Sequence, residues 1–266
     1  MEEKNRPTLI EELPEKSRDY FSKRRFDKKA NQRFFFLNKK VGQAVTDYKM
    51  LEENDKVLVA VSGGKDSLSL LNLLEYRRRV LPYKFSLLAV YIDSGLNSGL
   101  APKLKQYFEE NNFEYIIEEI DLKKDQDNKK GMNCFWCSWN RRKALFQLVR
   151  KHNCTKLALG HHKDDIIETF LLNLFFQANI STMSPLQELF GGEVKIIRPL
   201  AYVQEKETKD LAKYLKLETV DCQCPNSNLN NRKKIKAIIE EMRKVCPAVK
   251  NNIFNSLRNI KYDYLL

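Results

Sequence analysis

Residues Val57 to Leu74, reading VLVAVSGGKDSLSLLNLL, constrain the chain more than any other stretch. Val57 to Val61 form a β-branched apolar run of the kind that makes a strand buried on both faces, and Ser67 to Leu74 repeat apolar residues at helical spacing. Between strand and helix lie Ser62, Gly63, Gly64, Lys65, Asp66 and Ser67. The two glycines allow backbone geometry that side chains forbid, so successive N–H groups can turn inward as a nest at the helix N-terminus. Such a nest is a phosphate site. Ser62 and Ser67 add hydroxyls and Lys65 adds a charge. Asp66 stands where a helix takes an N-cap or where a phosphate-bound magnesium takes a carboxylate.

The loop is too short for the Gly-x-x-x-x-Gly-Lys-Ser/Thr spacing of kinases and GTPases. SGGKDS after a strand instead resembles the PP-loop of the N-type ATP pyrophosphatases. That resemblance implies cleavage of ATP between its α- and β-phosphates, with AMP left on a substrate.

With 266 residues the chain can bury a full core, as one large domain or one domain with an appendage. No stretch approaches the length of a membrane span, and the charged opening Met-Glu-Glu-Lys-Asn leads into no apolar run, so a cytoplasmic protein is expected. Lys and Arg outnumber Asp and Glu by 47 to 35, a formal charge of +12. That excess suits a polyanionic partner such as nucleic acid, although a Lys- and Asn-rich composition would produce it as well.

The chain opens on a basic arm, with Lys16, Arg18, Lys23, Arg24, Arg25, Lys28 and Lys29 in a segment poor in apolar anchors. It could contact an RNA or be a solvated terminus. A helix is expected over 31–51, then the strand and helix around the loop. FSLLAVYI at 85–92 predicts a second buried strand, ending at Asp93, Ser94 and Gly95. A helix at 100–111 and a strand at 115–120 follow, then a helix from about Trp139 to His152 with Arg141, Arg142 and Lys143 in its first turn. A strand at 156–159 ends in Gly160, His161, His162, Lys163, Asp164 and Asp165, leading into another helix. A short strand at 195–197, a helix at 205–215 and two basic C-terminal helices near 231–244 and 249–260 complete the pattern. Alternation of strand and helix predicts an α/β fold with a doubly wound, mostly parallel sheet. Residues after the strands face the ligand crevice of such sheets, which makes Asp93 a candidate for holding nucleotide or magnesium, or else a cap of the next helix, and Gly160 and His161 candidates for binding the nucleotide.

Cys134 and Cys137 are separated by two residues just before a helix, where one metal can take both and the dipole favours thiolates. Cys222 or Cys224 could supply a third ligand. Three thiolates leave one iron of a [4Fe–4S] cluster open, whereas four would close a zinc site or complete the cluster, and spacing does not choose between them. Cys154 and Cys246 read as core or unpaired thiols. His161 and His162 suit orientation of a neighbour or packing on a nucleotide better than metal ligation. Asp164 and Asp165 suit helix caps, or one of them could hold magnesium or orient a substrate.

From about Lys39 to Ile260 these motifs together resemble tRNA 2-thiocytidine synthetase, the TtcA family of tRNA sulfurtransferases. The matching stretches are Lys40-Val41-Gly42-Gln43-Ala44, SGGKDS at 62–67, Cys134-x-x-Cys137-Ser138 with Arg141-Arg142, GHHKDDIIET at 160–169, RPLAY at 198–202 with Glu205-Lys206, and Asn228-Leu229-x-x-Arg232 after a cysteine. The resemblance implies the PP-loop ATP pyrophosphatase (HUP-like) sheet over 51–220, with a basic arm and helix over 1–50 and a cysteine-bearing basic helical segment over 221–266. It implies that ATP and Mg2+ bind at the loop, and that a cytidine O2 at anticodon-loop position 32 is adenylated. Sulfur from a [4Fe–4S] cluster then replaces that oxygen. Cys134, Cys137 and, by the position of Asn228-Leu229 and the Cys-Pro pairing, Cys224 would be the ligands. Arg141 and Lys65 would offset phosphate charge, and Asp164 would hold magnesium or orient the base. A tRNA, a sulfur donor (a cysteine desulfurase or sulfide), no membrane and a homodimer complete the expectation. The alternatives are a thiolase acting on a uridine, a lysidine synthetase-like adenylating enzyme, and a non-catalytic metal-bearing tRNA-binding module.

Overall fold

The computed structural model describes residues 28–95, 97, 99–120, 134–219 and 231–264, with the side chains of 28–31, 134 and 135 left undescribed. The basic arm before Lys28, and Cys222, Cys224, Asn228 and Leu229, lie outside the described residues. The elements in chain order are α1 (Lys28–Asp47), β1 (Lys56–Ala60), α2 (Lys65–Val80), β2 (Ser86–Asp93), α3 (Leu100–Glu110), β3 (Tyr115–Glu119), α4 (Cys134–Lys151), β4 (Lys156–Ala158), α5 (Lys163–Gln177), β5 (Leu186–Leu189), β6 (Val194–Ile197), α6 (Glu205–Tyr214), α7 (Asn231–Val245) and α8 (Val249–Ser256).

The six strands form one sheet in the order β3-β2-β1-β4-β6-β5, parallel except for β5, which runs antiparallel to β6. The expected doubly wound, mostly parallel α/β sheet is therefore present. Its strands read as continuous apolar runs because both faces are covered. Val57 and Val59 of β1 enter the cluster built with α1, α2, α3 and α6, whereas Leu58 enters the opposite cluster with Ala144 and Leu148 of α4. Alternation of successive side chains across a strand produces that division.

Helix α2 is buried over nearly its whole length, with Leu70, Leu71, Leu73 and Leu74 fully enclosed. Each such side chain stabilises the fold by about 1.5–3 kcal/mol, which fixes the helix and the loop before it against the sheet. At Gly42 a Cβ would stand 2.7 Å from Arg77 Nη1, so α1 approaches α2 closely where the sequence shows glycine. The amino end of the sheet is closed by buried Lys156, whose Nζ lies 2.8 Å from Asp55 Oδ2 and 3.0 Å from Glu52 Oε2. On the far side of β4, α5 packs Ile166, Ile167 and Leu171 against Ile235 and Ile239 of α7 and Val249 and Phe254 of α8.

Two elements differ from the sequence expectation. α4 begins at Cys134 instead of near Trp139, which puts the Cys-x-x-Cys pair inside the first helical turn. β5 was not expected. It is held by pairing with β6, Leu186 opposite Ile197 and Leu189 opposite Val194. No described helix is long and apolar enough to cross a membrane.

Candidate functional site

The strand order reverses between β1 and β4, and the loops that leave the carboxyl ends of these two strands meet there. After β1, Gly63 takes φ +80°, a left-handed conformation that favours glycine. Gly64 is the N-cap of α2 and no side chain caps the helix, which leaves its first-turn N–H groups for an external acceptor. The two serines shape the loop from within. Ser67 Oγ accepts from the Ser62 N–H at 3.0 Å and donates to the Gly64 carbonyl at 3.0 Å, and Ser62 Oγ accepts from the Gly64 N–H at 3.3 Å. After β4, a Cβ on Gly160 would stand 3.0 Å from Ser67 N and 3.1 Å from its Cα, so the backbone of one loop rests directly on the other.

The loops open into a cavity of about 310 Å³. Ser62, Asp66 and Ser67 line it from α2 and its loop, Gly160 and His161 from the end of β4, and Ser138, Arg141 and Arg142 from the first turns of α4. The helix that starts with Cys134 and Cys137 thus forms one wall of the cavity whose opposite wall is the glycine loop. Cys137 is half-buried. Asp93, at the end of β2, accepts from the Gly95 N–H at 2.9 Å, which is a turn contact.

Lys65 Nζ lies 2.9 Å from Asp66 Oδ2 and 3.3 Å from Glu205 Oε1. Burial works against the Lys65 charge, and the Asp66 and Glu205 carboxylates reverse that effect, so its pKa stands above the usual lysine value. Glu205, half-buried at the start of α6, would be raised by burial but is held down at about 2 by Lys236 and Lys65. Asp66 also accepts from the Thr208 hydroxyl.

His161 and His162 play different parts. Burial, with Arg198 on its Nδ1 at 3.4 Å, lowers the His161 pKa from 6.5 to about 4, so at neutral pH it is an uncharged wall of the cavity. His162 is buried and caps α5: its Nδ1 accepts from the Asp165 N–H at 3.3 Å while Asp165 Oδ2 accepts from the His162 N–H at 3.0 Å. Asp164 is buried beside it. Its Oδ2 accepts from the Glu205 N–H at 2.8 Å and its Oδ1 lies 2.9 Å from Lys250 Nζ. Burial would raise its pKa, and these two contacts lower it below the ordinary carboxylate value. Asp164 lines a second cavity of about 560 Å³, between α6, α7 and α8, with Lys206, Lys209, Arg243 and Lys250.

Ser62, Asp66, Ser67, Gly160, His161 and Arg141 thus line one crevice, Gly63, Gly64 and Lys65 belong to the same loop with Lys65 turned to Asp66 and Glu205, and Asp164 lines the second cavity instead. Thr208 and Lys250 reach Asp66 and Asp164 without a local sequence signal. The signal for α6 was RPLAY followed by Glu205, whose spacing puts the helix start beside the loop. Among the described residues no group of three or more His, Cys, Asp or Glu side chains could hold a metal ion.

Residues 36–244 match the family model of the PP-loop domain. The chain is 37% identical over 241 residues to the tRNA-cytidine(32) 2-sulfurtransferase of Geobacter sulfurreducens, covering 89% of this chain and 94% of that protein. It is 36% identical over 228 residues to the protein of the same name from Pseudomonas fluorescens, covering 84% of this chain and 83% of that one. Among solved structures, the U34-tRNA thiolase NcsA of Methanococcus maripaludis with its [4Fe–4S] cluster superposes with a TM-score of 0.71 at 27% identity, covering 86% of this chain and 80% of that one.

Proposed function

The chain belongs to the PP-loop family, among the tRNA-cytidine 2-sulfurtransferases, and from that premise we propose that it uses ATP to replace the C2 oxygen of cytidine 32 in a tRNA anticodon loop by sulfur. The observation that carries this reading is the shared cavity, in which a phosphate-binding loop faces the first turns of a helix that begins with two cysteines.

ATP is the first substrate. The uncapped N-terminus of α2, the Gly63–Gly64 backbone and the two serine hydroxyls fit its phosphates, and Lys65 and Arg141 flank the crevice with positive charge. The cytidine O2 attacks the α-phosphorus, the bond to the β-phosphate oxygen breaks, and pyrophosphate leaves. Lys65 and Arg141 stabilise the negative charge that builds on the phosphate oxygens in that step. A magnesium ion bound to ATP would be held by Asp66, whose carboxylate Lys65 gives up when it turns to phosphate. Asp164, committed to the Glu205 N–H and Lys250, fixes where α6 begins, and Asp93 holds the turn at the rim of the crevice. Neutral His161 supplies a wall that neither protonates nor repels the nucleotide at pH 7.

A [4Fe–4S] cluster would be held by Cys134, Cys137 and Cys224 and would supply sulfur on an iron that lacks a protein ligand. The donor set fits: Cys134 and Cys137 fall in the first turn of α4, where the helix dipole favours thiolates. The excess positive charge of the chain suits the tRNA backbone, and a cytoplasmic sulfur donor and a second copy of the chain complete the expected set of partners.

Nucleoside mass spectrometry of tRNA from cells with and without the protein tests the reading. Loss of 2-thiocytidine is expected. Loss of a 2-thiouridine instead would move the substrate to the base named for the Methanococcus structure, and no change in any sulfur nucleoside would overturn the function. A finer test is Gly160→Ala. The added methyl would force the loop to shift by a few tenths of an ångström, and we expect KM for ATP to rise about tenfold, less than the 10²-fold a full ångström can cost. An unchanged KM would show that the contact does not set the loop's phosphate geometry.

A further inference from the structure

The Lys65 contact with Glu205 reaches beyond the loop. Glu205 Oε1 lies 3.3 Å from Lys65 Nζ, and its other oxygen, Oε2, lies 3.1 Å from Lys236 Nζ. One carboxylate at the start of α6 therefore joins the phosphate loop to α7. Further along the same network, Lys236 is 3.6 Å from Glu168, and Arg232 is 3.2 Å from Asp165 and 3.7 Å from Glu168. Glu168 is almost wholly buried, and burial raises its pKa above the ordinary carboxylate value while the two α7 cations oppose that rise. The chain of charges runs without a break from Asp66 to Asp165 by way of α7.

We infer that Glu205 is a positioning residue that couples triphosphate binding at Lys65 to the anchoring of α7. The inference rests on the ATP-dependent reading above. A triphosphate competes for Lys65 with a higher charge and shorter charge-assisted hydrogen bonds than a single carboxylate offers. Glu205 then loses the longer of its two contacts. Both oxygens become available to Lys236, and α7 is held more tightly against α5 and α6. α7 begins at Asn231, shortly after Cys222 and Cys224 in the chain, so the helix that responds to nucleotide is the one joined to the C-terminal cysteines. Linkage makes the effect reciprocal: whatever tightens α7 raises nucleotide affinity by the same factor.

Hydrogen exchange on the full chain, with and without the non-cleavable analogue α,β-methylene-ATP, tests the coupling. In the wild type the analogue is expected to protect residues 62–67 and to slow exchange across 232–244 by about fivefold or more, the lower end of ordinary coupling. In Glu205→Gln the loop protection should persist while the α7 response disappears, and Glu205→Asp should restore part of it. A merely structural role would loosen α7 equally with and without analogue and leave the difference intact. An α7 response retained in Glu205→Gln, or no α7 response in a wild type whose loop is protected, overturns the coupling. No loop protection in the wild type overturns the ATP reading itself and the coupling with it. Lys236→Met approaches the bridge from the other side, and an analogue Kd equal to that of the wild type would likewise overturn the inference.

Discussion

Lys65→Met is expected to lower kcat/KM for ATP-dependent thiolation by about 10²- to 10³-fold, the range seen when one preorganised group that stabilises transition-state charge is removed. Two effects add in the same direction. The substitution deletes the cation nearest the glycine loop, and it also strips Asp66 and Glu205 of the lysine that lies 2.9 and 3.3 Å from them. The phosphates would then meet two carboxylates that have lost their lysine, of which Glu205 keeps only the Lys236 contact at 3.1 Å. Stability should change little. Lys65 is about a quarter exposed and belongs to no apolar cluster, and ion pairs of such exposure are worth about 1 kcal/mol or less. Lys65→Arg should not rescue fully, because a planar fork cannot take the place of a point charge in a loop shaped around one ammonium. Pyrophosphate release and thiolation should fall together; thiolation within tenfold of wild type would remove the loop from the chemistry.

The parts of the site that the sequence made legible are those whose geometry is local. SGGKDS carries its own instructions: a strand of Val57 to Val61 before it, an apolar helix after it, and glycine where φ is +80°. GHHKDD likewise announces a helix start, and the His162–Asp165 capping box is the local reason. What was not legible depends on partners far apart in the chain. Asp164 reads as a crevice residue from its place after β4, yet Lys250 and the Glu205 N–H turn it toward the second cavity, and neither partner is near it in sequence. The Glu205 bridge between Lys65 and Lys236 is invisible for the same reason. β5 escaped because Leu-Gln-Glu-Leu has no β-branched residue and is a strand through its pairing with β6. The start of α4 before Trp139 was not legible because Cys134-Phe135-Trp136-Cys137 shows no helical apolar stripe, although Asn133 ahead of it is a residue type that caps helices.

Cys137→Ser is expected to abolish thiolation while leaving nucleotide binding within about twofold of wild type, since the substitution leaves the glycine loop and its first-turn N–H groups in place. Cys137 is half-buried in the first turn of α4, one residue before Ser138 and one turn before Arg141, both of which line the cavity. Cys154 is buried in the core and burial pushes its thiol pKa up, which suits an inert side chain. Cys246 accepts a contact from Asn252 Nδ2 at 3.6 Å beneath α8, on the other side of α5 from the glycine loop. Serine keeps the size of the side chain and loses the soft thiolate that iron and zinc prefer, so metal content separates the effect from misfolding. Protein purified without oxygen should lose its visible thiolate-to-iron absorption and most of its iron on Cys137→Ser, and still bind α,β-methylene-ATP. Stoichiometric zinc in a colourless wild type would sink the cluster assignment, and thiolation that survives Cys137→Ser would sink the role of α4. The two variants act on the two elements whose neighbouring residues line one cavity, the glycine loop and α4: Lys65→Met should slow pyrophosphate release, whereas Cys137→Ser should leave tRNA-dependent pyrophosphate release running with no sulfur incorporated. A protein in which both variants fail at the same step would have a single reaction centre, and the division of labour between the glycine loop and the first turn of α4 would fall with it.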